Sequence, residues 1–175
     1  MKIKYILLTL SLLIIMSCNT VFDEEISAQN EEKEIMAEGI MLKWQIENEQ
    51  INITLSASTT GWIAVGFDPS AQMLDANVII GYVESSNTEI RDDFGDTPYT
   101  HSSDVSLGGT DNITNVSGSE EEGITELNFS IPLSSGDTFD SVLVEGSTYP
   151  VILATGLSDD FDSIHNVRTT VVIQL

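Results

Sequence analysis

Residues 40–57 read IMLKWQIENEQINITLSA. Ile40, Leu42, Trp44 and Ile46 fall on one side of an extended chain, with Met41, Lys43, Gln45 and Glu47 on the other. Successive side chains of a strand point to opposite faces, so this period of two defines a half-buried β-strand. After Asn48-Glu49-Gln50 the rhythm resumes, with Ile51, Ile53, Leu55 and Ala57 inward and Asn52, Thr54, Ser56 and Ser58 outward. Two such runs around a short polar turn predict an antiparallel hairpin.

Working outward, residues 61–67 (GWIAVGF) and 76–83 (ANVIIGYV) are apolar on both faces, the mark of central strands covered on both sides. Further strands are predicted over Thr88–Phe94, Thr125–Ile131, Tyr149–Ala154 and Arg168–Leu175, with Pro132 and Pro150 at strand margins where a missing N–H is tolerated. No segment past residue 38 has a helical period. The Ser/Gly/Asp-rich stretch Ser102–Gly123 reads as a long connection holding one weak strand, because large apolar residues such as Val105, Ile113 and Val116 are few in it. Short strands separated by turn residues predict an all-β chain, an antiparallel β-sandwich.

The chain has 175 residues, 41% of them hydrophobic, enough for one domain with a core. Lys and Arg total 6 against 28 Asp and Glu, and the formal charge of −22 repels phosphate backbones, so nucleic acid is excluded as a partner. One cysteine permits neither an internal disulfide nor a thiolate-ligated zinc or iron–sulfur site. Lys2 and Lys4 precede an uncharged run from Ile6 to Met16, an export signal too short to span a bilayer. The run closes on Ile15-Met16-Ser17-Cys18, which resembles a bacterial lipobox. Residues 1–17 are then a lipoprotein signal peptide, Cys18 carries the lipid, and the chain is anchored extracytoplasmically at a bacterial cell envelope. Residues 18–37 are polar and acidic without sustained periodicity and are expected to be a flexible tether, leaving 38–175 as the domain.

No GxSxG, HExxH or phosphate-binding glycine loop is present, so no catalytic residues are assigned and the chain reads as a binding or redox module rather than an enzyme. Asp159-Asp160-Phe161-Asp162 offers oxygen ligands but lacks the spacing of a calcium-binding EF-hand loop, and reads as a solvated acidic loop. His101, His165 and Met73 are the side chains left for a transition metal or haem. Met73 sits between the two most apolar strands. On spacing alone it fills an irregular gap, and His101 and His165 read as loop histidines.

Residues 61–67, Pro69, Met73, Ala76 and the strand to Gly81-Tyr82-Val83 resemble the core of DOMON domains, the module named after the dopamine β-monooxygenase N-terminal region. Ile90, Asp92 and Phe94 suit that family's strand with an aspartate, Thr125–Ser130 with Leu133 its next, and Val151-Ile152-Leu153-Ala154 with Gly156 another, followed by His165. Ser130 and Leu153 stand where many relatives have Arg and Trp. The resemblance implies an immunoglobulin-like sandwich of about 8–11 strands. By analogy with the cytochrome domain of cellobiose dehydrogenase, it implies a non-covalent b-type haem held axially by Met73 and His165. A thioether and an imidazole fill both axial positions, so the implied function is electron transfer with a redox partner protein. Trp62, Tyr82, Lys43 and Arg168 are the residues expected around the pocket, the last two as cations for the propionates. The alternative is a haem-free module binding a glycan or a protein, in which Trp44, Trp62, Tyr82 and Tyr99 stack on sugar rings, although Trp44 equally suits the core.

Overall fold

The computed structural model describes residues 31–175, so the leader and Cys18 lie outside the described residues. Eleven strands form two antiparallel sheets: β1 (Lys33–Ala37), β2 (Ile40–Glu47), β3 (Gln50–Ala57), β4 (Ile63–Phe67), β5 (Asn77–Glu84), β6 (Asn87–Thr97), β7 (Thr100–Ser103), β8 (Thr114–Glu121), β9 (Ile124–Pro132), β10 (Thr148–Thr155) and β11 (Val167–Gln174). A single turn of helix, α1 (Asp104–Leu107), follows β7. One sheet runs β1-β2-β3-β9-β8 and the other β11-β10-β4-β5-β6-β7. The antiparallel β-sandwich expected from the alternation is what forms.

The hairpin that decided the fold closes in the register its pattern requires, with Ile40 opposite Ala57 and Glu47 opposite Gln50. Asn48 and Glu49 both have positive φ, 52° and 64°, the backbone of a two-residue turn whose twist matches the strands it joins. The alternating apolar set is buried as read: Leu42, Ile51 and Leu55 are wholly inaccessible, and Trp44 belongs to the same core. Facing them from the other sheet are Ile63, Val65, Phe67, Ile79, Val151 and Leu153.

Two expectations need correction. The last five residues of the stretch read as a tether are strand β1, paired with β2 from Lys33 opposite Trp44 to Ala37 opposite Ile40. Ile35 and Ala37 alternate with Glu34 and Met36, and they pack against the core while the backbone completes the free edge of β2. The polar composition hid a period too short to read, and the charged residues suit an edge strand. The sandwich therefore begins at residue 33 rather than 38. The stretch Ser102–Gly123, read as a long connection holding one weak strand, holds that strand as β8 and contains the end of β7 and α1 besides. Of β8 only Gly118 is shielded, so no apolar alternation marks its bounds.

The packing predicts that Leu55→Ala, which empties a wholly buried site between the sheets, destabilises the fold by about 2–5 kcal/mol. Val172→Thr on the exposed face of β11 stays within roughly 0.5 kcal/mol. Urea unfolding followed by tryptophan fluorescence measures both.

Candidate functional site: the outer face of the six-stranded sheet

Strand β4 is buried at all five positions. Ile63, Val65 and Phe67 point into the sandwich, so Ala64 and Gly66 point to the opposite, outer face together with Trp62. Residues paired across antiparallel strands share a face, which extends that surface to Ile80 and Val78 on β5 and to Ala154 and Ile152 on β10. These side chains are shielded, Ile80 to 1% exposure and Val78 to 4%, because two loops lie against the face from opposite ends.

The loop after β4 carries Met73. Its backbone runs against β6 at Gly95: Asp75 donates to the Gly95 carbonyl at 2.8 Å, Gly95 donates to that of Ala76 at 2.9 Å, and Met73 donates to that of Pro98 at 3.4 Å. A Cβ on Gly95 would lie 1.6 Å from the Met73 carbonyl oxygen, so only glycine permits this approach. The loop after β10 carries His165 and closes on the other end. Trp62 donates its backbone N–H to Ser158 at 3.1 Å and its indole N–H to Ser163 Oγ at 2.8 Å. Gly156 lies so close beneath the indole that a Cβ there would come within 2.0 Å of Nε1. Phe161 from the same loop packs on Tyr82 with ring centroids 5.0 Å apart.

Met73 and His165 are both half-buried, and neither side chain makes a hydrogen bond among the described residues. Their loops leave β4 and β10 at opposite ends, since Ile63 pairs with Thr155 and Phe67 with Val151, about 13 Å apart at ~3.3 Å per residue. They border one face, with Ala64, Gly66, Ile80 and Ile152 between them. Above Gly66 the space is taken by Ile152, whose side chain would lie 2.7 Å from a Cβ there.

Trp62, Tyr82 and Arg168 share this face, Arg168 through its pairing with Ala154. Lys43 does not. It projects from β2 on the other sheet and forms ion pairs with Glu34 at 3.4 Å and Glu32 at 3.7 Å, because the same alternation that buries Leu42 turns Lys43 outward. The cation that the sequence reading passed over is Arg91. Its guanidinium lies 4.5 Å over the Phe161 ring and grips Asp93 with two parallel bonds, Nε to Oδ1 at 2.6 Å and Nη2 to Oδ2 at 2.7 Å. His101, read as a loop residue, sits on β7 and turns Nδ1 to Asp93 Oδ2. Arg91 and Asp93 are two apart on a strand and must share a face, which was the available signal. Asp160, in the acidic run, accepts the backbone N–H groups of Asp162 and Ser163 and so holds its own loop.

The DOMON domain family profile matches residues 36–156, and the chain belongs to that family. The match includes Met73 and stops before His165. Among solved structures, the cytochrome b domain of pyranose dehydrogenase from Coprinopsis cinerea superposes with a TM-score of 0.62 at 10% identity, covering 81% of this chain and 80% of that one. The cytochrome domain of cellobiose dehydrogenase from Myriococcum thermophilum gives 0.61 at 12% identity, over 82% and 81%. At this identity the likeness establishes the fold. A curated relative, MOXD1 homolog 2 of Drosophila melanogaster, is 35% identical over 49 residues, which is 28% of this chain and 6% of the relative.

Burial alone would raise Asp93, but the hydrogen bonds from His101 and Arg91 outweigh it and leave its carboxyl below the usual range. A lowered folded-state value contributes stability above the unfolded value of about 3.9 and loses it as pH falls through the folded one. Asp93→Asn is therefore expected to destabilise at pH 7 and to flatten the acid side of the stability profile below about pH 4. Thermal melts of both proteins between pH 2.5 and 7 read this directly.

Proposed function

We propose that this protein is a cytochrome of b type, in which Met73 and His165 hold a non-covalent haem against the outer face of the six-stranded sheet. The observation that carries this reading is the placement of a thioether and an imidazole on two loops that border the same apolar face, each half-buried and without a hydrogen-bond partner. The floor of Ala64, Ile80 and Ala154 suits a flat apolar macrocycle, and Arg91 and Arg168 are the cations on that face for its carboxylates. Held by the Met73 thioether and the His165 imidazole, haem would supply a one-electron carrier rather than a substrate site. The protein's own part is to supply both ligands, exclude water and set the surrounding polarity.

Ile152 over Gly66 and Phe161 on Tyr82 occupy the space nearest the floor, so uptake entails a turn of Ile152 and a lift of the 156–166 loop. Electron transfer needs a redox partner protein. The lipobox-like Cys18 supports a lipid anchor that would hold the domain outside the cytoplasmic membrane. A haem-free glycan module is the second reading. It finds its polar chemistry on the other sheet, where Asn52, Thr54, Asn115, Asn128 and Ser130 line a cavity of about 240 Å³ beside Lys43. Trp44 and Trp62 are buried and present no ring to a sugar.

Titration of the full chain in detergent with haemin is the test. Stoichiometric uptake with a low-spin reduced spectrum is expected, and Met73→Ala and His165→Ala are each expected to weaken binding at least about tenfold. Absence of uptake, or uptake indifferent to both substitutions, overturns the cytochrome reading; a glycan that binds and is lost with Asn128→Ala would replace it.

A further inference from the structure

Asp92 sits on the opposite side of β6 from Arg91 and Asp93, facing into the sandwich where an apolar residue belongs. Asp104 of α1 and Asp140 from the β9–β10 connection converge on it, and one carboxylate oxygen of each lies within 4.8 Å of the others. Asp92 is 2% exposed and Asp104 wholly buried. Asp92 Oδ2 accepts the backbone N–H of Asn112 at 3.0 Å. Asp92 Oδ1, both oxygens of Asp104 and Asp140 Oδ2 are buried with no donor. A neutral side chain repeats the pattern: Asn77, 4% exposed, donates Nδ2 to Asp140 Oδ1 at 2.8 Å and leaves its own Oδ1 buried and unpartnered.

Five buried oxygens without donors on four side chains are a large unmet demand, since each has given up its hydration with no hydrogen bond in return. We propose that Asp92, Asp104, Asp140 and Asn77 form a binding site for a divalent cation, calcium in chemical class. Calcium takes six to eight oxygen ligands at 2.3–2.6 Å, so oxygens around one ion lie up to about 5 Å apart, as these carboxylates do. All four side chains offer hard oxygen donors, with neither sulfur nor imidazole to favour a softer metal. The strongest charges acting on Asp92 and Asp104 are further carboxylates: Asp140, Asp111, Asp137 and Asp93. Without a cation, burial pushes Asp92 up to about 8 and Asp104 up to about 7. A cavity of about 380 Å³ lined by Asp68, Ser70, Asp75, Phe94, Phe139 and Asp140 gives an entry path. The ion ties α1, whose Val105 and Leu107 are exposed, and the β9–β10 connection to β5 and β6.

The site lies on the inner side of β6, apart from the haem face, so its test needs no haem. Calcium chloride is titrated into the chelator-treated full chain in detergent and 0.15 M potassium chloride, by calorimetry and by thermal melting. One calcium per chain is expected, with a rise in melting temperature, and with affinity at least tenfold weaker in Asp104→Asn and in Asp140→Asn. Asp140 is half-buried at the rim, so its variant decides the matter if Asp104→Asn fails to fold. Asp159→Asn in the exposed acidic run is expected to bind as the parent does. No calcium-dependent rise, or a rise unchanged in Asp140→Asn, overturns the proposal.

Discussion

Strand β4 has no side that meets solvent, and the architecture follows from meeting that constraint twice. Inside, Ile63, Val65 and Phe67 require the second sheet. Outside, Trp62 and Ala64 require a further layer, and the sandwich has no third sheet to offer. The layer comes from connections: the loop carrying Met73 crosses at Gly95, and the loop carrying His165 is pinned to Trp62 through Ser158 and Ser163. Loops that cover an apolar face are cheaper to move than a sheet, because their backbone bonds are few and local. The shielding of that face, and access to it in the proposed cytochrome, thus depend on the same two segments.

The hairpin of β2 and β3 and the burial of Trp44 were legible from local alternation, and the doubly buried β4 and β5 from unbroken local apolar runs. Strand β1 was not, since two apolar residues among acidic ones carry too little pattern. Strand β8 was legible only as a weak strand without bounds, since an exposed edge strand needs no apolar residues at all. The site was legible in part. Met73 and His165 could be named as donors by residue type and resemblance, but the shared face depends on the pairing of β10 with β4, which joins residues some ninety positions apart. Lys43 failed as a pocket cation for the same reason, because its sheet was not decided by its own strand's pattern.

Strand β6 divides two kinds of polar chemistry by parity. On the outer side Arg91 and His101 neutralise Asp93, whose two oxygens are fully engaged. On the inner side Asp92 has a single donor, the backbone N–H of Asn112, and its neighbours Asp104 and Asp140 add unpartnered oxygens. A residue-level charge count treats Asp92 and Asp93 alike; the two faces make one a satisfied ion pair and the other an unmet ligand.

The central claim is that function resides on the outer face between the Met73 and His165 loops. Methyl-resolved NMR of the full chain in detergent, with haemin added, tests it most directly. The account predicts haem-induced changes in the methyl signals of Met73, Ala64, Val78, Ile80, Ile152 and Ala154, with those of Ile53 and Thr54 on the other sheet left in place. Changes confined to the Ile53 and Thr54 side, or none on the β4 face, would contradict it.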